Sequence, residues 1–588
     1  MNRIETFLIV LFLVFTSILA DIQIAHSNEA PDLHRRANLD TLKAVLQSDG
    51  FQITPGEMFQ LDVLKLACAG ILASCNGNNN TNPYLVASVP SAGSQYNPAD
   101  PALNFIIRQD EAIVLIGRTP PPVNYFSFRS FIFDRYIERE SVRRKLFGSL
   151  GDPNNMLTIN TIGTAKGNPY DKPFVLMVVS DKGTESRIRN ALATAGYPNK
   201  IINTDVISPN LAKMSSKENG DSDIEKDDTF VMIYRLAMWD YGYEAAGQAY
   251  LLDPPITVLR LTPEPRTPKT NYSPLPVERL RPRGTGFTEL DMLPEVEALR
   301  KAIVGRYPKM KVEDIRPTTW LEESFVAFQK DLDVLGESRD TVYLRNEGTI
   351  SLADDEFIVV FGVNHEATGK ATYANFAAYD VCKSCPVAGE NSHHYTGSAI
   401  DYFPDVKTQP THINNLYAWK MALNCHGDPY CTEIPESGCP NGIEKNGQFY
   451  IGFRAYVEPS TKIGPAFSEL VYDRVLKFSS LAPKISSVVI SPAEAADSSQ
   501  GVPPGTPVSI QFQITGADSQ NVTWTASVKA DDGCGVLTPS TGTVVGSAGV
   551  SVELTTSETQ KTTLTLFLDA IDAAGRRAKT IGVQTTFK

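Results

Sequence analysis

Five of the seven histidines and five of the eight cysteines in this 588-residue chain fall between His365 and Cys439. Imidazole is the usual side-chain base near neutral pH and the commonest metal ligand, so chemistry is sought first in this segment. His365 and Glu366 stand side by side in Gly362-Val-Asn-His-Glu-Ala-Thr-Gly-Lys-Ala-Thr372, and His393, His394, His412 and His426 follow. One divalent metal ion held by His365, Glu366 and one of His393, His394 or His412 would activate water or polarise a carbonyl, the chemistry of a metal-assisted hydrolase or lyase. The competing expectation is that these side chains cap turns and bond to loop backbone. Adjacent His393 and His394 point to opposite faces of an extended chain, so at most one of them joins His365. His365 and Glu366 are the catalytic candidates, and no organic cofactor is expected.

Enzyme motifs in the same loop are incomplete. A phosphate-cradling loop needs four residues between its glycines and Ser or Thr after the lysine, whereas here six separate Gly362 from Gly369 and Ala371 follows Lys370. A zinc-protease helix needs a second histidine where Gly369 stands. No Gly-x-Ser-x-Gly elbow is present anywhere. Cys68 and Cys75 are near neighbours and are expected to pair. Cys382, Cys385, Cys425, Cys431 and Cys439 form an odd group to which Cys534 adds a sixth member, with connectivity open. Disulfides are the first expectation for an exported chain. Cys382-Lys-Ser-Cys385 fits one zinc knuckle, but the spacing from Cys425 to Cys431 is too long for a second. Pro386 rules out haem attachment and, with Gly389, the helix of a redox pair.

The elements that must position these residues come from an internal repeat. Asp110-Glu-Ala-Ile-Val-Leu-Ile-Gly117 and Asp355-Glu-Phe-Ile-Val-Val-Phe-Gly362, 245 residues apart, share five of eight residues. Three further blocks follow in the same order: Tyr125-Phe-Ser-Phe128 with Tyr373-Ala-Asn-Phe376, Phe230-Val-Met-Ile-Tyr-Arg235 with Phe449-Tyr-Ile-Gly-Phe-Arg454, and Gly247-Gln-Ala-Tyr250 with Gly464-Pro-Ala-Phe467. Two copies with so long a period predict a pair of domains and not a solenoid. Shared residues, Arg235 and Arg454 among them, read as scaffold, which leaves the His- and Cys-bearing segment as the candidate site. Glu111 and Glu356, repeated beside the strands, either face each other across a cleft or lie at the surface.

The expected fold class is α+β: two duplicated β-rich mixed domains at 38–262 and 286–480, a Pro-rich linker at 263–285 and a β-sandwich at 484–588. Copy one opens with helical spacing at Leu61, Leu64 and Cys68, copy two at Val296, Leu299 and Ile303. Phe174 to Ser180, Thr184 to Ala195 and Ile201 to Ile207 read as a β-α-β unit with no evident counterpart in copy two. Period-two alternation at Val508, Ile510, Phe512 and Ile514 marks strands of the last region. That region resembles the immunoglobulin-like modules at the ends of exported bacterial proteins, although it lacks their paired cysteines, and the resemblance implies a spacer or binding unit. An apolar run from Phe7 to Ala20 reads as a signal peptide, 1–20, with no membrane span after it. The formal net charge of -13 argues against nucleic acid and anionic lipid as partners. The acidic run Glu218 to Asp228 reads as a solvated loop. Two classes of function follow for a secreted, periplasmic or cell-surface protein: a binding protein for a small molecule or glycan, or the metal-assisted enzyme described above.

Overall fold

The computed structural model describes residues 37–587 except 80–81, 91–101, 216–225, 265–271, 277–278, 309, 353–355, 437–441, 444–446, 480–483, 498–499, 504–505, 516–520, 531–539, 546–547, 555–561, 573–576 and 579. The proposed signal, Cys439, Cys534 and most of the acidic run lie outside them. The chain is mostly β, with a few helices and several sheets.

Residues 37–263 contain β1 (Phe51–Leu61), β2 (Tyr84–Ser88), β3 (Ala112–Arg118), β4 (Val123–Ile137), β5 (Val142–Ser149), β6 (Asn154–Asn155), β7 (Pro173–Val179), β8 (Ile202–Val206), β9 (Thr229–Trp239) and β10 (Ile256–Pro263). Their order is β5-β4-β9-β2-β1-β10-β3-β7-β8, with β6 beside β4. Long β1 belongs to two layers, pairing with β10 through residues 51–56 and with β2 through 57–61. The layers enclose one apolar core, in which Ile113, Leu115 and Leu176 meet Phe126, Phe128 and Met232. The outer face of the β10-β3-β7-β8 layer is covered by α1 (residues 37–48) through Leu42 and Leu46. A short α2 (Val63–Cys68) follows β1, so the expected helix begins later than Leu61, which is the last residue of the strand. The β-α-β unit is present: α3 (Lys182–Thr194), capped by Asp181 and buried through Ile188, Ala191 and Leu192, joins parallel β7 and β8. α4 (Glu244–Leu252) precedes β10.

Residues 286–480 open with α5 (Leu293–Arg306), which buries Val296, Leu299 and Ile303 as their spacing predicts. The strands are β11 (Lys311–Ile315), β12 (Pro317–Thr319), β13 (Thr341–Asn346), β14 (Phe357–Val363), β15 (Tyr373–Asp380), β16 (Pro386–Asn391), β17 (Leu416–Ala422), β18 (Cys431–Glu433), β19 (Phe449–Tyr456) and β20 (Arg474–Ser479). α6 (Ser324–Lys330) lies between β12 and β13. They form two sheets, β11-β20-β14-β17-β18 and β12-β13-β19-β15-β16. In the first half the corresponding orders are β1-β10-β3-β7-β8 and β1-β2-β9-β4-β5. The continuous β1 corresponds to β11 and β12, separated only by Arg316. Even the parallel pair at the edge recurs, with β17 and β18 linked by residues 423–430 where β7 and β8 are linked by a helix.

The last seven strands are β21 (Lys484–Ser491), β22 (Val508–Thr515), β23 (Asn521–Ala530), β24 (Ser540–Val545), β25 (Ala548–Leu554), β26 (Thr562–Asp572) and β27 (Ile581–Phe587). Their two sheets, β21-β22-β25 and β24-β23-β26-β27, share one core containing Ile510, Phe512, Leu566 and Leu568.

Candidate functional site

The histidines do not converge. His365 is buried, with Nδ1 2.9 Å from Glu289 and Nε2 3.6 Å from Asp473. Those carboxylates are themselves occupied, Glu289 accepting from Thr368 Oγ1 at 2.5 Å and Asp473 from Tyr417 Oη at 2.6 Å. Half-buried Glu366 lies 3.7 Å from His393, which also contacts Asn124. Exposed His394 pairs with Glu390 at 2.7 Å and exposed His412 with Glu295 at 2.8 Å. His426 is exposed on the loop after β17. Among the described residues no group of three or more His, Cys, Asp or Glu side chains is arranged to hold a metal ion. Lys370, from the same loop, is buried against Glu458 at 2.7 Å and Glu469 at 2.6 Å. The loop from Asn364 to Thr372 thus fastens β14 and β15 to the segment around Glu289.

The cysteines need a correction. Cys75 bonds to Cys385, 310 residues away, and not to Cys68. Cys425 bonds to Cys431 and ties the short link between β17 and β18. Cys382 is exposed. Glu111 and Glu356 are corrected as well: neither is at the surface and they do not face each other. Glu111 pairs with Arg260 on β10 at 2.8 Å, and Glu356 pairs with Lys477 on β20 at 3.0 Å. Acid and base occupy the same places in the two strand orders. The end of the acidic run is likewise buried, with Asp228 2.7 Å from Arg135.

The feature that joins the halves is a reciprocal clasp. The loop before β2 bonds to the edge before β16, Cys75 N–H to Lys383 O at 2.8 Å and Gly77 N–H to Ser384 O at 3.0 Å. The loop before β13 bonds to β5 in the same way, Val334 N–H to Leu146 O at 3.0 Å and Gly336 N–H to Phe147 O at 2.7 Å. Arg235 of β9 donates Nη2–H to Gly336 O, and Arg454 of β19 donates Nη2–H to Gly77 O. Both glycines have positive φ, 60° at Gly77 and 77° at Gly336, a backbone state that side chains with a Cβ rarely adopt. Each arginine sits opposite a tyrosine on the neighbouring strand, Tyr84 with Arg235 and Tyr343 with Arg454. Residue i thus meets j and j meets i, the relation found in a twofold dimer.

Between these layers lies a chamber of about 110 Å³. Val231, Ile233 and Phe147 wall it from the first half and Trp320 and Tyr343 from the second, while half-buried Leu72, Asn76, Asn104 and Leu335 form its rim. Arg235 and Arg454 both line it. Arg235 lies 5.0 Å over the ring of Phe131, and Arg454 lies 5.0 Å over Trp320. Burial works against both charges, but the surrounding tyrosine hydroxyls outweigh it and hold the guanidiniums protonated. Reading shared residues as scaffold directed attention away from these two arginines. The available signal was an arginine inside an otherwise apolar strand in each of the two matching blocks.

No family model matches the chain, and no curated protein matches it. Among solved structures it is similar to Bacteroides uniformis β-glucuronidase, at 12% identity over 42% of this chain and 26% of that one, with a TM-score of 0.15. A putative β-galactosidase from Bacteroides fragilis is 9% identical over 46% of this chain and 41% of that one, with a TM-score of 0.14. A Niemann-Pick type C2 protein from the Japanese carpenter ant is 13% identical over 18% of this chain and 94% of its own, with a TM-score of 0.14. The chain spans about a quarter of the glucuronidase's length. Likeness this low leaves function to be argued from the residues of the chain itself.

Proposed function

We propose that this is an exported binding protein built from a duplicated β domain, whose copies face each other about a pseudo-twofold axis and hold a small ligand between them. The observation that carries this is the chamber of about 110 Å³ lined by equivalent strands of both halves. Duplication is supported by the matching strand orders, the repeated acid–base pairs and the reciprocal clasp. Export is supported by the disulfides Cys75–Cys385 and Cys425–Cys431, which persist in oxidising compartments. Two antiparallel sheets on one core support an immunoglobulin-like sandwich at the C-terminus, acting as a spacer. The metal-assisted alternative loses its basis because His365, His394 and His412 are each committed to separate carboxylates. A chamber of this size takes a small molecule and not an oligosaccharide.

Calorimetric titration and thermal shift with toluene, indole and benzyl alcohol test this reading. At least one is expected to bind the full chain, and Leu72→Trp, which narrows the rim, is expected to abolish binding without lowering Tm. Failure of every ring-sized probe to bind, or binding indifferent to Leu72→Trp, would overturn the chamber as the ligand seat.

A further inference from the structure

We infer that the chamber's ligand is a small organic monoanion, a ring-sized aromatic or branched aliphatic carboxylate clasped between Arg235 and Arg454. The inference rests on the chamber reading above and adds the charge and shape of what enters.

Charge comes first. A guanidinium taken out of water needs compensation, and a buried one is ordinarily paired with a carboxylate. Four other buried arginines follow that rule, Arg129 with Asp205 at 2.6 Å, Arg135 with Asp228 at 2.7 Å, Arg339 with Asp152 at 2.7 Å and Arg260 with Glu111 at 2.8 Å. Arg235 and Arg454 depart from it: among the described residues, no carboxylate oxygen lies within 4.0 Å of either, and the buried Asp340 carboxyl feels the Arg235 charge only from beyond that distance. Their partners are neutral, a backbone carbonyl and a tyrosine hydroxyl each. Aromatic rings beneath them soften the burial without cancelling the charge. Two positive charges therefore share one small apolar chamber.

Unused donors point the same way. A guanidinium carries five N–H groups in a flat fork that matches a carboxylate. Nε of Arg235 is buried, only 6% of the residue being exposed, and has no hydrogen-bond partner. A planar oxyanion would take Nε–H and its neighbours and draw the two halves together through one group.

Size and lining exclude the commoner anions. An apolar cavity of roughly 150 Å³ accommodates benzene, so about 110 Å³ holds a short branched chain, or a single ring part of which projects past the half-buried rim, and is far too small for a nucleotide or a fatty acyl chain. Phosphate or sulfate alone would leave Val231, Ile233, Phe147 and Trp320 facing empty space.

The test uses benzoate, its neutral isostere benzamide and 4-bromobenzoate on the full chain at low ionic strength. Benzoate is expected to bind roughly 10- to 100-fold more tightly than benzamide, the range of a charged hydrogen-bond pair. Arg454→Gln should collapse that preference and Arg454→Lys should keep part of it. In crystals, the bromine of 4-bromobenzoate should lie in the chamber, with its carboxylate on the arginines. Benzamide binding as tightly as benzoate, or a carboxylate turned away from both arginines, overturns the anion assignment and leaves the chamber reading standing. Toluene or indole entering while benzoate is refused has the same meaning. If no probe enters, both fall. Should Arg454→Gln not fold, the wild-type comparison of benzoate with benzamide and the Arg454→Lys variant still decide.

Discussion

His365 is a structural cation. Burial alone would discharge the ring, but Glu289 and Asp473 outweigh it and push its pKa up to about 10. Because that lies above the ordinary value of about 6.5, its stabilisation is complete below pH ~6.5 and is lost as pH rises toward ~10. Burial raises the Glu289 carboxyl, yet His365 more than offsets this and holds it below the usual range, so its contribution is lost only in acid. His365→Ala, by stranding two buried carboxylates, should cost about 3–5 kcal/mol near pH 6 and markedly less near pH 10, measured by urea unfolding. Asp340 behaves in the opposite sense to Glu289. Its carboxyl is buried between the halves, takes hydrogen bonds from Tyr125 at 3.1 Å and Asn155 at 2.9 Å, and is pushed up by burial to about 7. The folded chain then keeps a proton that the unfolded chain has released, so stability falls as pH rises from about 4 to about 7. Asp340→Asn should remove that fall, and an unchanged slope of unfolding free energy against pH would refute the assignment.

Among the elements, β3 and β14 show how similar strings meet different surroundings. Each ends near a repeated glycine, Gly117 and Gly362. A Cβ on Gly117 would lie 2.4 Å from Pro255 O and 2.9 Å from Ile256 Cα, both backbone atoms. On Gly362 its nearest neighbour would be the Asp473 side chain at 3.2 Å. Gly117→Ala should therefore destabilise by about 1–3 kcal/mol and Gly362→Ala by clearly less, compared by thermal unfolding. Helix α5 and the unit β7-α3-β8 were legible in the sequence because their apolar spacing matches the period of the element. The counterpart of the crossover in the second half was not legible, since β18 is three residues long and is defined by its pairing with β17 and not by local pattern.

For the whole molecule, the decisive link is Cys75–Cys385, which closes a loop of 310 residues and fixes one side of the clasp. The opposite side, at Gly336 and Phe147, is held by hydrogen bonds, those of the backbone and that of Arg235 to Gly336 O. Cys75→Ser with Cys385→Ser should lower stability by roughly 2–5 kcal/mol. If the chamber depends on the clasp, the same variant should weaken benzoate binding even under conditions where it remains folded. Retention of full affinity in the folded double variant would show that the hydrogen-bonded clasp holds the chamber by itself.

The sequence by itself determined the β-rich character of the chain, the position of helices α3 and α5 and the paired blocks around Glu111 and Glu356, because apolar periodicity and repeated strings are local properties. It also singled out His365, but not what His365 does. Only the tertiary structure decided that His365 is surrounded by two carboxylates, that Cys75 reaches Cys385, and that Arg235 and Arg454 line one chamber with no carboxylate in salt-bridge contact among the described residues. The physical reason is common to all three: a side chain's role follows from the charge and space around it, and here the partners lie 76, 310 and 219 residues away.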